Sequence, residues 1–230
     1  LEEIAGQLFV IRNIHNVGYN EVVEISEENG NVRIGTTLEV GEGYAIVQVL
    51  GGTSGLSLKN CRVRFKGEPL LFGASQDMLG RIFDGLGNPL DGLPKPVPEE
   101  MMNVNGMAMN PAARDYPENI IETGISTIDV MNTLVRGQKL PFFSGSGLPH
   151  DLIAAQIVRQ ARVEGEGFCI VFAGMGVKYD TARFFIRNFE ESGALDNVVL
   201  FLSLADSPSL TRLMTPKFAL TAAEFLAFRK

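Results

Sequence analysis

Residues 142–151 read FFSGSGLPHD. They follow a short apolar run, residues 139–143, that predicts a strand, and they precede an amphipathic pattern, residues 151–162, that predicts a helix. A glycine-rich turn between a strand and a helix is the place of a phosphate-binding loop, G-x-x-x-x-G-K-[ST]. In that motif backbone N–H groups, a lysine and a Mg²⁺-binding hydroxyl hold the phosphates.

Four positions of this motif carry residues of different chemistry. Ser144 and Pro149 replace the two glycines, and Pro149 lacks an N–H group that would line the cradle. His150 replaces the lysine with an imidazole, a group that is usually uncharged at pH 7. Asp151 replaces the hydroxyl with a carboxylate, which repels a polyphosphate. The turn therefore keeps the outline of a phosphate loop without its cation and its hydroxyl.

We interpret this turn as a degenerate phosphate loop that binds nucleotide weakly or is vestigial. Its candidate binding residues are Gly145, Ser146, Gly147, His150 and Asp151, and we assign no catalytic residue and no metal ligand. This stretch alone leaves an alternative open: an ordinary strand-to-helix turn in which Asp151 starts the helix.

The composition indicates a globular protein with a sizeable core. The chain has 230 residues, 45% of them hydrophobic, and a formal net charge of −7. This charge, without any run of Lys and Arg, argues against nucleic-acid binding. The sequence shows no leader pattern and no apolar stretch of about 20 residues, so we expect a cytoplasmic protein that reaches a membrane only through partners.

The cysteines and histidines predict neither a disulfide nor a metal site. Cys61 and Cys169 form no C-x-x-C pair, and His15 and His150 have no ligand spacing with them. Cys169 lies in an apolar run, residues 167–172, which predicts a small buried side chain in a reducing compartment.

The first part of the chain has the pattern of a small antiparallel barrel. Short β-like runs at residues 8–11, 21–25, 32–34, 44–49 and 62–65 are separated by turn signals. We predict an N-terminal β-barrel in residues 1–74 and a linker region in residues 75–122, where Gly, Asn, Asp and Pro are dense. Asp84 and Asp91 in that region are better interpreted as turn caps than as an acid/base pair.

From residue 123 the pattern becomes that of an α/β domain. Ile153, Ile157 and Ala161 predict the buried face of the second helix, and Gly193 predicts the end of the third. The pattern predicts helices at 126–134, 151–162, 181–191 and 215–230 and strands at 139–143, 168–172 and 198–204. This order predicts a doubly wound parallel sheet. Since three strands would leave an unpaired edge, we expect residues 123–230 to be the first part of a larger domain.

Asp206 follows the third predicted strand. It imitates the aspartate that holds Mg²⁺ in P-loop enzymes. The order Asp206-Ser207-Pro208 also indicates a helix start, and we prefer the interpretation of Asp206 as a cap.

Several longer strings resemble the nucleotide-binding subunits of rotary ATPases. Residues 79–92, LGRIFDGLGNPLDG, resemble the linker of those subunits, and residues 123–129, TGISTID, resemble the segment before their phosphate loop. Residues 135–141, VRGQKLP, followed by residues 144–150, SGSGLPH, resemble the non-catalytic B subunit of archaeal and vacuolar-type ATPases. The resemblance extends over essentially the whole chain.

The resemblance implies a small N-terminal β-barrel followed by a partial α/β P-loop (RecA-like) nucleotide-binding domain. It implies a non-catalytic regulatory or structural subunit that alternates with catalytic A subunits in a hexameric ring and contacts central-stalk and peripheral-stalk subunits. Such a ring couples ATP synthesis or hydrolysis to proton or sodium transport. The subunit would require no cofactor and would bind ATP or ADP weakly at most.

Catalytic subunits of that family carry Gly-Glu-Arg after the second strand, where the glutamate polarises the attacking water. The corresponding positions here are Gly176, Val177 and Lys178, so the resemblance implies that the general base is absent. The arginine that the family's B subunit extends into the neighbouring site is expected beyond residue 230.

Two other functions are less favoured. A self-sufficient P-loop NTPase would use His150 in place of the lysine and Asp151 to hold Mg²⁺, and it would leave Val177 unexplained. A hexameric nucleic-acid translocase is disfavoured by the acidic charge.

Overall fold

The computed structural model describes residues 3–56, 61–114, 116, 118–161 and 167–229. Strands and helices are numbered separately in chain order. They are β1 (Glu3–Ala5), β2 (Leu8–Arg12), β3 (Glu21–Glu27), β4 (Val32–Gly41), β5 (Tyr44–Val49), β6 (Cys61–Pro69), β7 (Leu71–Ala74), β8 (Ile82–Asp84), β9 (Glu100–Asn103), β10 (Ile120–Ile121), α1 (Ser126–Met131), β11 (Leu134–Val135), α2 (His150–Gln160), β12 (Ile170–Val177), α3 (Tyr179–Ser192), β13 (Val198–Leu204) and α4 (Ser209–Phe228).

The N-terminal strands form one antiparallel sheet in the order β1-β2-β5-β4-β3-β6. All five strands predicted in this region are confirmed, and alternate residues of β5 are buried as the two-residue period requires. The core on this face contains Phe9, Val23, Ile25, Val47 and Val49. Among the described residues, β1 and β6 are the two outer strands, and no pairing between them closes the sheet.

The segment predicted as a linker, residues 75–122, contributes strands to more than one sheet. β7 pairs with β9, whereas β8, between them in sequence, lies parallel to β13 in the C-terminal sheet. The ring of Phe83 in β8 stacks on Phe201 of β13 with centroids 5.4 Å apart. The apolar residues of β8 therefore anchor this segment to the α/β core.

Asp84 and Asp91 cap turns, as predicted. Asp84 Oδ1 accepts hydrogen bonds from the N–H groups of Leu86 and Asn88, both at 2.8 Å. Asp91 accepts from the N–H group of Leu93 at 3.1 Å and forms a two-pronged ion pair with Arg81, whose Nη2 lies 3.0 Å from Asp91 Oδ1. Both carboxylates thus accept hydrogen bonds from backbone N–H groups of their turns. This structural role explains the two aspartates without acid/base chemistry.

The C-terminal sheet has the order β12-β13-β8, with all strands parallel. The third predicted strand is confirmed at Val198–Leu204, and the second begins at Ile170 and continues to Val177. The strand predicted at residues 139–143 is wrong, because these residues have no strand structure and Pro141 lacks a ladder N–H group. β8 is the third parallel strand of this sheet.

Helices cover both faces of this sheet. The side chains of Val199 and Phe201 pack with α4 on one face, and those of Val198, Leu200 and Leu202 pack with α2 and α3 on the other. Successive residues of β13 are therefore buried on both sides, as expected for a central parallel strand.

Two of the helices differ from their predicted forms. On α2 the buried residues are Ala155 and Val158, whereas Ile153, Ile157 and Ala161 are only half-buried. α4 begins at Ser209 instead of residue 215 and continues through Pro216. Pro216 removes one backbone hydrogen bond from α4. The burial of Leu210 and Met214 in the core stabilises the turns before the proline and offsets this loss. α3 ends at Gly193 with φ +70, as predicted.

The first turn of α4 also joins the two sheets. The N–H group of Leu210 donates to Gln7 Oε1 at 3.1 Å, and Thr211 Oγ1 donates to the carbonyl oxygen of Leu50 at 2.8 Å. No helix in the part of the chain that the structure describes has the length and apolarity needed to cross a bilayer.

The Arg81–Asp91 pair makes stability depend on pH. Hydrogen bonding to Arg81 lowers the pKa of Asp91, so its carboxylate stays ionised to lower pH in the folded chain than in the unfolded chain. Its contribution is fully present above about pH 4, the ordinary aspartate value, and is lost as pH falls through the lowered pKa. We expect Asp91→Asn to reduce the free energy of unfolding by about 2 kcal/mol at pH 7 and to flatten its acid dependence, measured by urea unfolding.

The exposed Asp206 supplies a matched control for this measurement. Asp206→Asn should leave both the free energy of unfolding and its acid slope within about 0.5 kcal/mol of the wild-type values. Equal acid slopes for Asp91→Asn and the wild type would contradict a stabilising role of the Asp91 charge.

Candidate functional site

The degenerate loop leads directly into α2. His150 is the first helical residue, and Pro149 occupies the N-cap position with φ −82 and ψ 48 and without a side-chain cap. Asp151 lies in the first turn of the helix instead of at the cap, where a carboxylate is favourable beside the helix N-terminus. The loop therefore combines parts of the two interpretations that the sequence left open.

His150 directs its Nδ1 atom back into the loop. Nδ1 lies 2.9 Å from the carbonyl oxygen of Leu148 and 3.2 Å from Ser144 Oγ. Since a carbonyl oxygen only accepts hydrogen bonds, Nδ1 is the protonated ring nitrogen in this contact, and it donates a hydrogen bond to the carbonyl oxygen of Leu148. His150 Nε2 lies 3.4 Å from Asp151 Oδ1. Both ring nitrogens thus face groups of the loop itself.

The loop backbone is shaped by Gly147, whose φ of +86 lies in the left-handed region that favours glycine. The N–H group of Leu148 donates to the carbonyl oxygen of Gly145 at 3.3 Å, which closes the turn. Among the described residues, the N–H groups of Gly145, Ser146 and Gly147 have no acceptor. Three successive N–H groups are therefore available to an anion.

The whole loop is open to solvent. Every residue from 141 to 150 is exposed, and the side chain of Phe143 is 91% exposed. In the single chain, water therefore reaches the N–H groups of residues 145–147 and competes for their hydrogen bonds.

Val177 occupies the position at which the resemblance implies a lost general base. It is the last residue of β12, its side chain packs with the core formed by α2 and α3, and its carbonyl oxygen accepts from the N–H group of Ala205 at 2.9 Å. Lys178 follows as the N-cap residue of α3. An apolar, packed side chain at this point has no means of orienting a water molecule.

Asp206 and Cys169 both differ from their predicted environments. The N-cap residue of α4 is Pro208, and no side chain caps the helix, so the interpretation of Asp206 as a cap is wrong. Cys169 is exposed and not buried, because it precedes β12, which has a strand partner on one side only in the described sheet. In the described parts of the chain, His, Cys, Asp and Glu side chains form no cluster of three or more that could bind a metal ion.

The structure reveals polar atoms that sequence reasoning missed. Ser203 Oγ, Arg212 Nε and Asn188 Oδ1 are buried, and none has a hydrogen-bond partner among the described residues. A lone serine after a buried strand and an arginine in an apolar helix carry no motif, so only the packing could identify them.

Comparison with protein families identifies both halves of the chain. Residues 2–67 match the β-barrel domain of the ATP synthase alpha/beta family, and residues 124–230 match the nucleotide-binding domain of the same family.

The chain belongs to the ATP synthase alpha/beta family.

This membership confirms the fold class, an N-terminal β-barrel domain followed by a nucleotide-binding domain, and it makes the chain a rotary ATPase subunit. Subunits of the ATP synthase alpha/beta family work with other subunits in hexameric rings. The candidate loop lies inside the matched nucleotide-binding domain, as do Val177, Ser203 and Arg212.

The left-handed backbone at Gly147 predicts a position-specific effect. Gly147→Ala should destabilise the loop by about 1 kcal/mol, because an L side chain rarely adopts this φ. The matched control is Gly145→Ala, which has no left-handed φ and whose nearest neighbour, Leu148 Cδ1, would lie 3.9 Å away. Hydrogen exchange at the N–H group of Ile153, which donates to the Pro149 carbonyl, should be faster in the first variant only. Equal rates in both would contradict the loop conformation.

Proposed function

We propose that this chain is the non-catalytic B-type subunit of a V/A-type rotary ATPase. It alternates with catalytic A subunits in a hexameric ring and contacts central-stalk and peripheral-stalk subunits. The ring couples ATP synthesis or hydrolysis to proton or sodium transport, and the subunit lies in the head, peripheral to the membrane. ATP or ADP is held weakly, through Gly145, Ser146, Gly147, His150 and Asp151.

One observation carries the non-catalytic role: the loop has a phosphate-binding backbone without phosphate-transfer chemistry. The N–H groups of residues 145–147 are available, but His150 donates from Nδ1 to the Leu148 carbonyl, and Asp151 adds a negative charge beside it. Phosphoryl transfer depends on a fixed cation, a metal-bound hydroxyl and an oriented water molecule. None of the loop side chains or Val177 provides these groups.

The same geometry argues against the self-sufficient NTPase. In that mechanism His150 would have to direct a charged nitrogen at the phosphates. In the structure its Nδ1 is committed to the loop, and its Nε2 faces the Asp151 carboxylate.

The isolated chain should show no Mg²⁺-dependent ATP hydrolysis above background in a phosphate-release assay. Replacing two side chains, His150→Lys with Asp151→Thr, should strengthen ADP binding about tenfold, equivalent to about 1.4 kcal/mol, because it restores the cation and the hydroxyl. It should not produce turnover, since Val177 still replaces the base. Gln156→Lys, which adds a charge on the same helix away from the loop, is the matched control. Wild-type turnover that His150→Ala abolishes would establish the NTPase instead.

The subunit role predicts assembly. Mixed with a cognate catalytic A subunit, the full-length protein should form an alternating hexameric ring that native mass spectrometry detects and that hydrolyses ATP. A ring formed by copies of this chain alone, or no complex with the A subunit under conditions in which the A subunit is folded, would contradict the proposal.

A further inference from the structure

A cavity of about 400 Å³ lies where the N-terminal sheet meets β7 and α4. Its inner wall contains Leu50, Phe72 and Phe218, which are almost completely buried, and the exposed side chains of Val32 and Ile34 in β4 line its opening. Mostly apolar cavities of about 300–1,000 Å³ at the junction of structural units are the usual sites for small molecules. This cavity has both properties, and the proposed function does not use it.

The inner wall is fixed by contacts within the protein. The N–H group of Leu50 donates to the Ile34 carbonyl oxygen at 2.9 Å, and the Leu50 carbonyl oxygen accepts from Thr211 Oγ1 at 2.8 Å. The ring of Phe72 meets the ring of Phe218 edge to face, with centroids 5.4 Å apart. The cavity is therefore formed before any ligand binds, so binding does not have to order these side chains.

The size of the cavity indicates the class of ligand that it takes. One turn of an α-helix with its side chains is about 10–12 Å wide and about 5.4 Å long, which corresponds to a volume of about 400–600 Å³. The cavity therefore holds at most one helical turn, which is too little to dock a partner helix. β4 is paired with both β5 and β3, so it offers no free edge to an added strand. These limits favour a small molecule over a segment of a partner protein.

The charged groups at the cavity are both cations. Among the described residues that line it, Arg33 and Lys95 are charged, and no carboxylate is present. Arg33 is already paired, because its Nε lies 2.7 Å from Glu27 Oε1 and its Nη1 donates to the Gly52 carbonyl oxygen. Lys95 has no ion pair or hydrogen bond within the part of the chain that the structure describes. In a chain with a net charge of −7, an unpaired lysine beside an apolar cavity favours an anionic group at this point.

We propose that this cavity binds an amphipathic monocarboxylate of the medium-chain fatty-acid class. The alkyl chain lies against Leu50, Phe72 and Phe218, and the carboxylate lies at the opening, where it pairs with the ammonium group of Lys95. Because Lys95 is exposed, its flexible side chain can follow the head group of the ligand. The site contains none of residues 144–151, so it does not depend on the proposed nucleotide loop.

Isothermal titration calorimetry of the full chain with hexanoate, octanoate and decanoate at pH 7, below the concentrations at which micelles form, tests the site. We expect one saturable site whose affinity rises about fourfold for each methylene group that is buried. Lys95→Gln should weaken decanoate binding about fivefold and leave the binding of uncharged decan-1-ol unchanged. Lys139→Gln removes an exposed lysine outside the cavity and is the matched control, which should bind decanoate as the wild type does.

A second pair of variants tests the apolar part of the site. Val32→Phe places a larger side chain in the opening and should weaken decanoate binding about tenfold or more. Leu38→Phe, on the same strand but outside the cavity, should bind decanoate as the wild type does; Val32 is 52% exposed and Leu38 is 50% exposed. Circular dichroism should show that both variants are folded, because exposed strand positions accept aromatic residues.

Several results would overturn this inference. Undetectable binding of decanoate, equal affinities for hexanoate and decanoate, or equal binding of decanoate to Val32→Phe and Leu38→Phe would exclude the cavity as the site of the alkyl chain. Equal binding of decanoate to Lys95→Gln and Lys139→Gln, or binding of decan-1-ol as tight as that of decanoate to the wild type, would exclude the pairing of a carboxylate with Lys95.

Discussion

The burial of β13 on both faces is the constraint on which the C-terminal half depends. Residues 198–203 are all buried, so this strand is stable only with helices on both sides and hydrogen-bonded neighbours at both edges. α4 covers one face, α2 and α3 cover the other, and β12 and β8 pair with its two edges. β8, from the segment after the N-terminal sheet, supplies one of these neighbours. It pairs in parallel with one edge of β13, and its Phe83 ring stacks on the ring of Phe201.

The same constraint limits what the degenerate loop can do. α2 is held to the sheet through Ala155 and Val158, so the loop before it projects from the core, and all of its residues are exposed. Exposed backbone N–H groups can still donate hydrogen bonds to an anion. In competition with water, a fixed positive charge beside them strengthens the binding of a triphosphate. His150 and Asp151 face each other instead of supplying that charge. The loop thus combines exposed backbone N–H groups with a histidine and an aspartate at the two positions where the motif has its lysine and hydroxyl.

Much of the fold could be predicted from the sequence because its strands have strong local patterns. The five barrel strands and Val198–Leu204 combine β-branched or aromatic residues with clear turn signals, and their positions are confirmed. The strand at residues 139–143 was predicted from apolarity alone, which does not separate a paired strand from an exposed segment that contains Pro141. β8 is not predictable from local pattern, because Ile82, Phe83 and Asp84 stand among glycines and resemble part of a turn. They form a strand through their parallel pairing with residues 200–202 of β13, which lie far away in the sequence.

The same distinction between local pattern and tertiary packing applies to the residues of the candidate site and to the buried polar residues. The loop at residues 144–151 is predictable because a loop motif is local. The burial of Ser203 and Arg212 depends instead on the pairing of β12 with β13 and on the packing of α4, which no local pattern shows.

The first turns of α4 connect these features mechanically. Within them Leu210 bonds to Gln7, Thr211 bonds to Leu50, and a Cβ atom on Gly85 would overlap Thr215 Oγ1. One helical segment thus touches the N-terminal sheet, the turn after β8 and, through Arg212, the end of β12. Because these contacts are short and specific, α4 cannot shift without moving all three.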